Sequence, residues 1–373
     1  MIQVTPVATA GDLKRFIAFP DRLHADDPTY IAPLHLERKD ALSAKSNPFF
    51  KHADVQFWLA EKDGRTVGRI SAQRDRRQPE GIGHFGLIAA EDDPEIYRAL
   101  FSTAEAWLRE RGAREVLGPF NLSINEEVGV LVDGFDTPPM MMMSHDLPST
   151  GPRIEEQGFE KAMDLFAYRY RKGEPFPKGV ARIMAKPLPP NVHLRSLDMK
   201  RYDEEIRTVV DIFNDAWSEN WGFLPFGEDE MAHLAKSMKL LVEPKLVWIA
   251  EVDGRAQAFG VLLPNLNEAI RDLKGKLFPF GWVKLLWRIK THRITTGRVL
   301  LMGVRKEITN TMLGHSLPFW INEQFRREGI ALGMEAVEMS WVLETNKPMS
   351  HMGAVLGGGG PYKTYRIYRK VLA

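Results

Sequence analysis

There is no cysteine among the 373 residues. That excludes a disulfide framework, a thiolate zinc site and a cysteine nucleophile, and it fits a reducing compartment. The sequence also lacks a run of about 18 apolar residues, the length a membrane-crossing helix needs. The opening MIQVTPVATAGDLKRF has no basic stretch leading into an apolar one, so neither a spanning helix nor a signal peptide is expected. A cytoplasmic protein, at most peripheral on the inner membrane, is the expectation. Charge of one sign is lacking too: 50 Lys and Arg against 49 Asp and Glu leave a net +1. That argues against nucleic acid as a partner and leaves any basic patch local. What the chain does have is apolar material, 44% of its residues, enough to fold without staples. Its length suits two domains of on the order of 100–200 residues.

The second domain announces itself as an echo of the first. Trp58-Leu-Ala-Glu-Lys-Asp-Gly-Arg65 returns as Trp248-Ile-Ala-Glu-Val-Asp-Gly-Arg255, each followed by another apolar segment. Each reads as strand, tight Asp-Gly turn and strand, a strong hairpin signal. A further echo closes each half, Phe166-Ala-Tyr-Arg-Tyr170 and Thr364-Tyr-Arg-Ile-Tyr368, at nearly the same distance from its hairpin. Between the halves lie Pro175-Phe-Pro177 and Pro187-Leu-Pro-Pro190, which resist regular structure and read as a linker. The expected division is residues 1–171, a linker over 172–191, and residues 192–373.

Within the first domain, Asp93-Pro94 opens an amphipathic helix to about Arg111, with Ile96, Leu100, Ala104, Trp107 and Leu108 on one face. Gly112 ends it and a strand over Glu115–Phe120 follows. The second domain reads as a helix over about Asp203–Trp217, the hairpin, a strand over Arg298–Val304, a helix from about Leu313, and a strand over Ala336–Leu343.

That order is similar to the acyl-CoA N-acyltransferase (GNAT) fold. The resemblance implies an α/β (α+β) architecture of two GNAT folds in tandem, each a mixed, mainly antiparallel sheet flanked by helices. It also implies a loop between the fourth strand and the next helix whose amides bind the CoA pyrophosphate, as helix N-termini bind anions generally. Two segments compete for that loop. Arg326-Arg-Glu-Gly329-Ile-Ala331 matches the spelling but follows a segment that reads as helix. Lys306-Glu-Ile-Thr309-Asn310-Thr311-Met-Leu-Gly314 matches poorly but follows the strand ending at Val304, and context favours it. The cofactor candidates are therefore Val304, Thr309, Asn310, Thr311 and Gly314. An ordinary helix cap explains the same residues. Glu338-Met-Ser340-Trp341-Val-Leu-Glu344-Thr-Asn346 resembles the fifth strand of a subset of the family, which implies that Asn346 meets the pantetheine arm.

The first domain departs from the pattern, offering Glu91-Asp92-Asp93 where a pyrophosphate loop would lie, and is expected to bind no CoA. It carries instead Gly118-Pro-Phe-Asn121-Leu-Ser123-Ile-Asn125-Glu126-Glu127 and a run Met140–Met143 before His145. Four methionines suit an adaptable greasy site; a buried strand explains them as well. Unpaired polar groups are expensive to bury, so Asn121, Ser123, Asn125, Met141, Met143 and His145 are the substrate-side candidates. The two patterns together resemble the bacterial ceramide synthase group. That implies direct transfer of a fatty acyl chain from acyl-CoA, a co-substrate and not a bound cofactor, to the amine of a sphingoid base.

Amine acylation needs a base for the amine and a proton for the leaving thiolate. Glu344 or Glu126 is the candidate base, and His351 or Tyr362 the proton source; no metal is called for. An acyl-CoA or lipid sensor without catalysis is the rival reading. The tandem fold also resembles peptidyl transferases that use charged tRNA, which the near-zero net charge disfavours. Residues 274–293 interleave Leu, Phe and Trp with Lys284, Arg288, Lys290 and Arg293 and carry no acid. They read either as a helix at an anionic membrane surface or as a sheet cover with snorkelling basic residues.

Overall fold

A computed structural model describes residues 1–239, 241–291 and 294–372. In chain order it begins with β1 (Ile2–Pro6), α1 (Ala10–Leu23), α2 (His35–Ala41), β2 (Ala53–Lys62), β3 (Arg65–Asp75), β4 (Ile82–Ala90) and α3 (Pro94–Arg109). β5 (Glu115–Gly118), β6 (Phe120–Asn121), β7 (Glu127–Val128), β8 (Val130–Asp133), α4 (Thr150–Glu155) and β9 (Glu160–Arg171) follow. Next come α5 (Lys178–Ala185), β10 (Val192–Ser196), α6 (Tyr202–Trp217), α7 (Glu228–Met238), β11 (Val247–Val252), β12 (Arg255–Pro264), α8 (Leu266–Ile270) and α9 (Gly281–Lys290). The last elements are β13 (Thr296–Val304), α10 (Lys306–Thr309), α11 (Met312–Ala331), β14 (Ala336–Leu343), α12 (Lys347–Leu356) and β15 (Lys363–Val371).

The chain forms two compact units, residues 1–165 with 270–283 and 363–372, and residues 166–269 with 284–362. Each has a mixed sheet of the same plan. In the first unit the strands run β1-β2-β3-β4-β5-β15, antiparallel except for β4 with β5. In the second they run β10-β11-β12-β13-β14, antiparallel except for β13 with β14. Both hairpins turn through Asp-Gly at positive φ, 53° and 73° at Asp63 and Gly64, 51° and 76° at Asp253 and Gly254. Two successive left-handed residues match the twist of the strands they join. α3 starts where Asp93 accepts a hydrogen bond from the Glu95 N–H at 2.9 Å with Pro94 in the first turn. It buries Ile96, Leu100, Ala104 and Leu108 against Ile70, Phe85 and Val116. In the second unit Leu317, Ile321 and Phe325 of α11 pack on Ala258, Leu262 and Val299.

Three local expectations are corrected. The proline-rich stretch 172–191 is not free of regular structure: it holds α5, whose Ile183 carbonyl accepts from Trp320 Nε1 at 3.0 Å. Met140–Met143 form a turn, not a strand, with Met142 at φ 58° and Met140, Met141 and Met143 buried. β15, expected in the second domain, belongs to the first unit, where Tyr368 stands opposite Gly118 and Arg366 opposite Val130. Hydrophobic alternation sees which faces of a strand are apolar, not which neighbours it pairs with.

The two sheets differ beside their parallel pairs. In the first unit β4 pairs with β5 only from Ile82 to His84, and the space beyond is filled by the chain's own residues 118–122. Asn121 Oδ1 accepts from the Leu87 N–H at 2.7 Å, and Gln73 Nε2 donates to the Phe120 carbonyl at 2.6 Å. A Cβ at Gly86 would stand 1.8 Å from that carbonyl oxygen. Glu91, expected to repel a phosphate, is held by Arg65 at 2.8 and 3.0 Å. Gly86→Ala is therefore expected to lower stability by about 1–3 kcal/mol. Gly179→Ala, where nothing lies within 4 Å of the added carbon, should leave it unchanged; urea denaturation midpoints measure both.

Candidate active site

In the second unit the corresponding opening stays open. β13 and β14 pair in parallel from Thr296 with Ala336 to Val299 with Met339, and no further. Past that rung β13 keeps pairing with β12 as far as Val304, while β14 runs on to Leu343 without β13. A cavity of about 680 Å³ occupies the divergence, with Leu300, Met302, Gly303 and Val304 on one wall and Ser340, Trp341, Val342 and Leu343 on the other. That volume lies within the roughly 300–1,000 Å³ usual for a small-molecule site. α5, α6, α11 and α12 close it with mainly apolar side chains, among them Val180, Trp217, Phe319, Met349 and Val355.

Behind its wall at Ser340 stand buried polar groups. β-strand alternation puts Glu338 and Ser340 on one face of β14, and both are buried. Ser340 Oγ donates to Glu338 Oε1, and Tyr362 OH donates to the other carboxylate oxygen. Arg298, only 2% exposed, donates from Nε to Ser340 Oγ at 2.8 Å and from Nη2 to the Ser340 carbonyl at 3.2 Å. A hydroxyl that donates to a carboxylate and accepts from a guanidinium is fixed in direction, and Ser340 is a residue of the cavity's lining. Trp217 Nε1 donates to the Met302 carbonyl at 3.0 Å, and its ring meets Trp341 edge-on at 5.6 Å.

Of the sequence candidates, Val304, Thr309, Gly314, Asn346 and His351 line this cavity. Asn310 and Thr311 stand beside it, exposed. Thr311 caps α11, accepting from the Gly314 N–H at 3.0 Å, and Asn346 caps α12, accepting from the Met349 N–H at 3.2 Å. The cap reading and the site reading thus coexist. Gly314 is required there, since a Cβ would come 2.0 Å from the Ile308 carbonyl oxygen. The competing Arg326–Ala331 segment is the last turn of α11, the end of a helix that attracts cations. Glu344 is half-buried and lies off the cavity's lining. Tyr362 is engaged by Glu338.

The remaining candidates belong to the first unit. Asn121 Nδ2 donates to Glu127 Oε2 at 3.1 Å, and Glu127 also takes Arg38. Ser123 Oγ accepts from the Asn125 N–H at 3.1 Å, and Met141 and Met143 are core residues. Glu126 lies 3.5 Å from Asn47 Nδ2. Burial raises its carboxyl to about 8, with Asn47 and Arg38 opposing and Glu127 adding to the rise. His145 Nε2 is 2.7 Å from Asp27 Oδ2, and burial lowers its pKa. His24, Asp27 and His145 hold ligand atoms within 4.8 Å of one another, the one such group among the described residues with metal-ligand spacing.

No family model matches the chain. It is 54% identical to a bacterial ceramide synthase of Caulobacter vibrioides over 376 residues, covering 100% of this chain and 98% of that protein. The chain belongs to the bacterial ceramide synthase family. Protein YghO of Escherichia coli is 45% identical over 365 residues, 96% of this chain and 93% of that one. Among solved structures, a tandem GNAT protein from the clavulanic acid biosynthesis pathway superposes with a TM-score of 0.58 at 13% identity, covering 100% and 98% of the two chains. A GCN5-related N-acetyltransferase from Sphaerobacter thermophilus gives 0.55 at 14%, covering 99% and 95%. The fold is tandem GNAT, and the chain is an N-acyltransferase of the bacterial ceramide synthase family.

Sequence reasoning quoted Glu338 and Ser340 in this family member without giving them a role, and passed over Arg298 as a strand residue. The signal was there: acid and hydroxyl at i and i+2 share one strand face, and an arginine heads the neighbouring apolar strand. Glu126 yields a test on pH. Its folded-state pKa is raised, so its contribution to stability is full below the ordinary carboxylate range and is lost as pH rises to about 8. Glu126→Gln removes that dependence: relative to the unsubstituted protein it should be more stable at about pH 9 than at about pH 5. Denaturation midpoints at the two pH values read the difference.

Proposed function

We propose that the chain moves a long fatty acyl group from acyl-CoA to the amine of a sphingoid base, with acyl-CoA in the opening between β13 and β14. The observation that carries this reading is the divergence of those strands past Val299 and Met339, with a cavity at it and the capped N-terminus of a 20-residue helix, α11, beside it. Amides of a first helical turn suit a pyrophosphate. The apolar walls suit a pantetheine arm and a hydrocarbon chain, and the name of the Caulobacter relative supports a sphingoid acceptor.

In the transfer the amine nitrogen attacks the thioester carbonyl; a C–N bond forms and the C–S bond breaks. The attacking nitrogen sheds a proton and the departing thiolate gains one. Ser340 is suited to the first task, taking the amine proton at Oγ as it passes its own to Glu338, with Arg298 holding the hydroxyl in place. This assigns the base role to Glu338 through Ser340 in place of Glu344 or Glu126. His351, exposed on α12 at the cavity's edge, is suited to return a proton to the thiolate.

A lipid acceptor gives the exposed face around α9 a purpose. Phe278 and Phe280 are 71% and 73% exposed, and Trp282, Val283, Leu286 and Trp287 of α9 are exposed as well. Lys274, Lys276, Lys284, Arg288 and Lys290 accompany them, while Arg293 lies outside the described residues. Apolar side chains ringed by basic ones suit the surface of an anionic bilayer. No helix among the described residues is long and apolar enough to cross one.

Incubation with palmitoyl-CoA and sphinganine should yield the N-acylated base, read by mass spectrometry. Ser340→Ala and Glu338→Gln should each lower kcat by about a hundredfold with little change in CoA affinity, whereas Gly314→Val should abolish CoA binding in calorimetry. Unchanged turnover in Ser340→Ala would remove the relay. Phe278→Ser with Phe280→Ser should weaken sedimentation with phosphatidylglycerol vesicles while leaving turnover of a detergent-dispersed acceptor intact; equal sedimentation would remove the membrane contact.

A further inference from the structure

A second apolar space adjoins the main cavity of the second unit. It is about 50 Å³, lies between α11, α12 and the paired halves of β13 and β14, and shares Val299 and Met339 with the larger one. Those two residues form the last rung of the parallel pairing, so the spaces lie to either side of the point where the strands part. Among the residues that α11 turns toward them, five form one stripe: His315 and Phe319 line the larger space, Asn322, Arg326 and Ile330 the smaller. Steps of three and four residues keep a helix on one face, and this stripe covers about 22 Å of helix axis. α12 repeats the arrangement, with Met349 and Met352 on the larger space and Leu356 on the smaller.

The junction has the character of a constriction. Gly353 lets α12 lie against it: a Cβ there would stand 2.4 Å from Tyr168 and 2.7 Å from Met339 Cε. Met339 is itself a flexible thioether, able to reshape around a guest. At the far end the apolar lining gives way to charge, with Lys172 Nζ 2.8 Å from Glu335 Oε1 and Arg326 paired with Glu323 at 2.6 Å.

We propose that the two spaces are one track for the acyl chain. The thioester sits in the larger space, the hydrocarbon runs along that space to the rung at Val299 and Met339, and its end lies in the narrow cleft between α11 and α12, stopped by the Lys172–Glu335 pair. The cleft sets the chain length. A space of about 50 Å³ at roughly 10–15 Å³ for each water-sized group admits about four methylenes beyond the junction. The inference rests on the acyl-CoA reading of the cavity and adds to it the residues that measure the chain.

The test is CoA release from saturated acyl-CoAs, from octanoyl to stearoyl, with sphinganine as acceptor. Ala336 and Leu356 line only the cleft, so Ala336→Phe and Leu356→Trp should cut kcat/KM for palmitoyl- and stearoyl-CoA by at least about tenfold. Decanoyl-CoA should be turned over within about twofold of the unsubstituted rate. Leu356→Ala, which widens the cleft and adds no bulk, should move the preference toward longer chains. An unchanged length profile in variants that still turn over decanoyl-CoA would overturn the track and leave the acyl-CoA reading standing. No CoA release from any acyl-CoA by the unsubstituted protein would overturn both.

Discussion

Everything proposed for this enzyme hangs on one pairing that stops early. β13 and β14 share four rungs, ending at Val299 and Met339, and then part while β13 remains bonded to β12. Two parallel strands that separate leave backbone N–H and C=O groups facing a gap, and such groups are costly to leave unpaired away from water. A gap of this kind favours a guest that brings polar groups spaced along an otherwise apolar chain, and a pantetheine arm has that character. The adjoining helix end supplies amides for a charged head.

The buried group at the edge of the gap carries a matching constraint. Arg298, Ser340, Glu338 and Tyr362 place two ionisable groups of opposite sign where little water reaches. A carboxylate and a guanidinium removed from water are costly, and truncating one partner of such a set leaves the other uncompensated. The arrangement persists because each polar atom it holds at Ser340 has a partner, and the same arrangement fixes the hydroxyl of a residue that lines the cavity. Structural rigidity and chemical direction come from the same bonds.

The first unit uses the same plan to the opposite end. Its β4 and β5 also part after three rungs, but Asn121 accepts from the Leu87 N–H of β4, and the Phe120 and Leu122 carbonyls beside it are held by the Gln73 side chain. With the Leu87 N–H satisfied by Asn121 and Gly86 admitting a carbonyl where a side chain would otherwise stand, the opening is closed. Acidic residues at 91–93 suggested a unit without a pyrophosphate loop; steric filling is the stronger physical ground.

Much of the fold was legible in the sequence because its signals are local. An Asp-Gly pair between alternating apolar segments dictates a hairpin, Asp93-Pro94 dictates a helix start, and both hold in the structure to within a residue or two. The repeat of Trp58–Arg65 at Trp248–Arg255 marked two copies of one fold, and the strand-to-helix context with the family resemblance singled out Val304, Thr309, Gly314 and Asn346, which line the cavity. What the tertiary structure alone decided depends on pairing across the chain. Which strand accepts β15, where β13 leaves β14, and whether Glu338 or Glu344 bonds the Ser340 hydroxyl are set by neighbours distant in sequence. A carboxylate's position in a strand says which face it takes; only the packed sheet says what stands opposite, because hydrogen-bond register and burial are properties of the assembled layers.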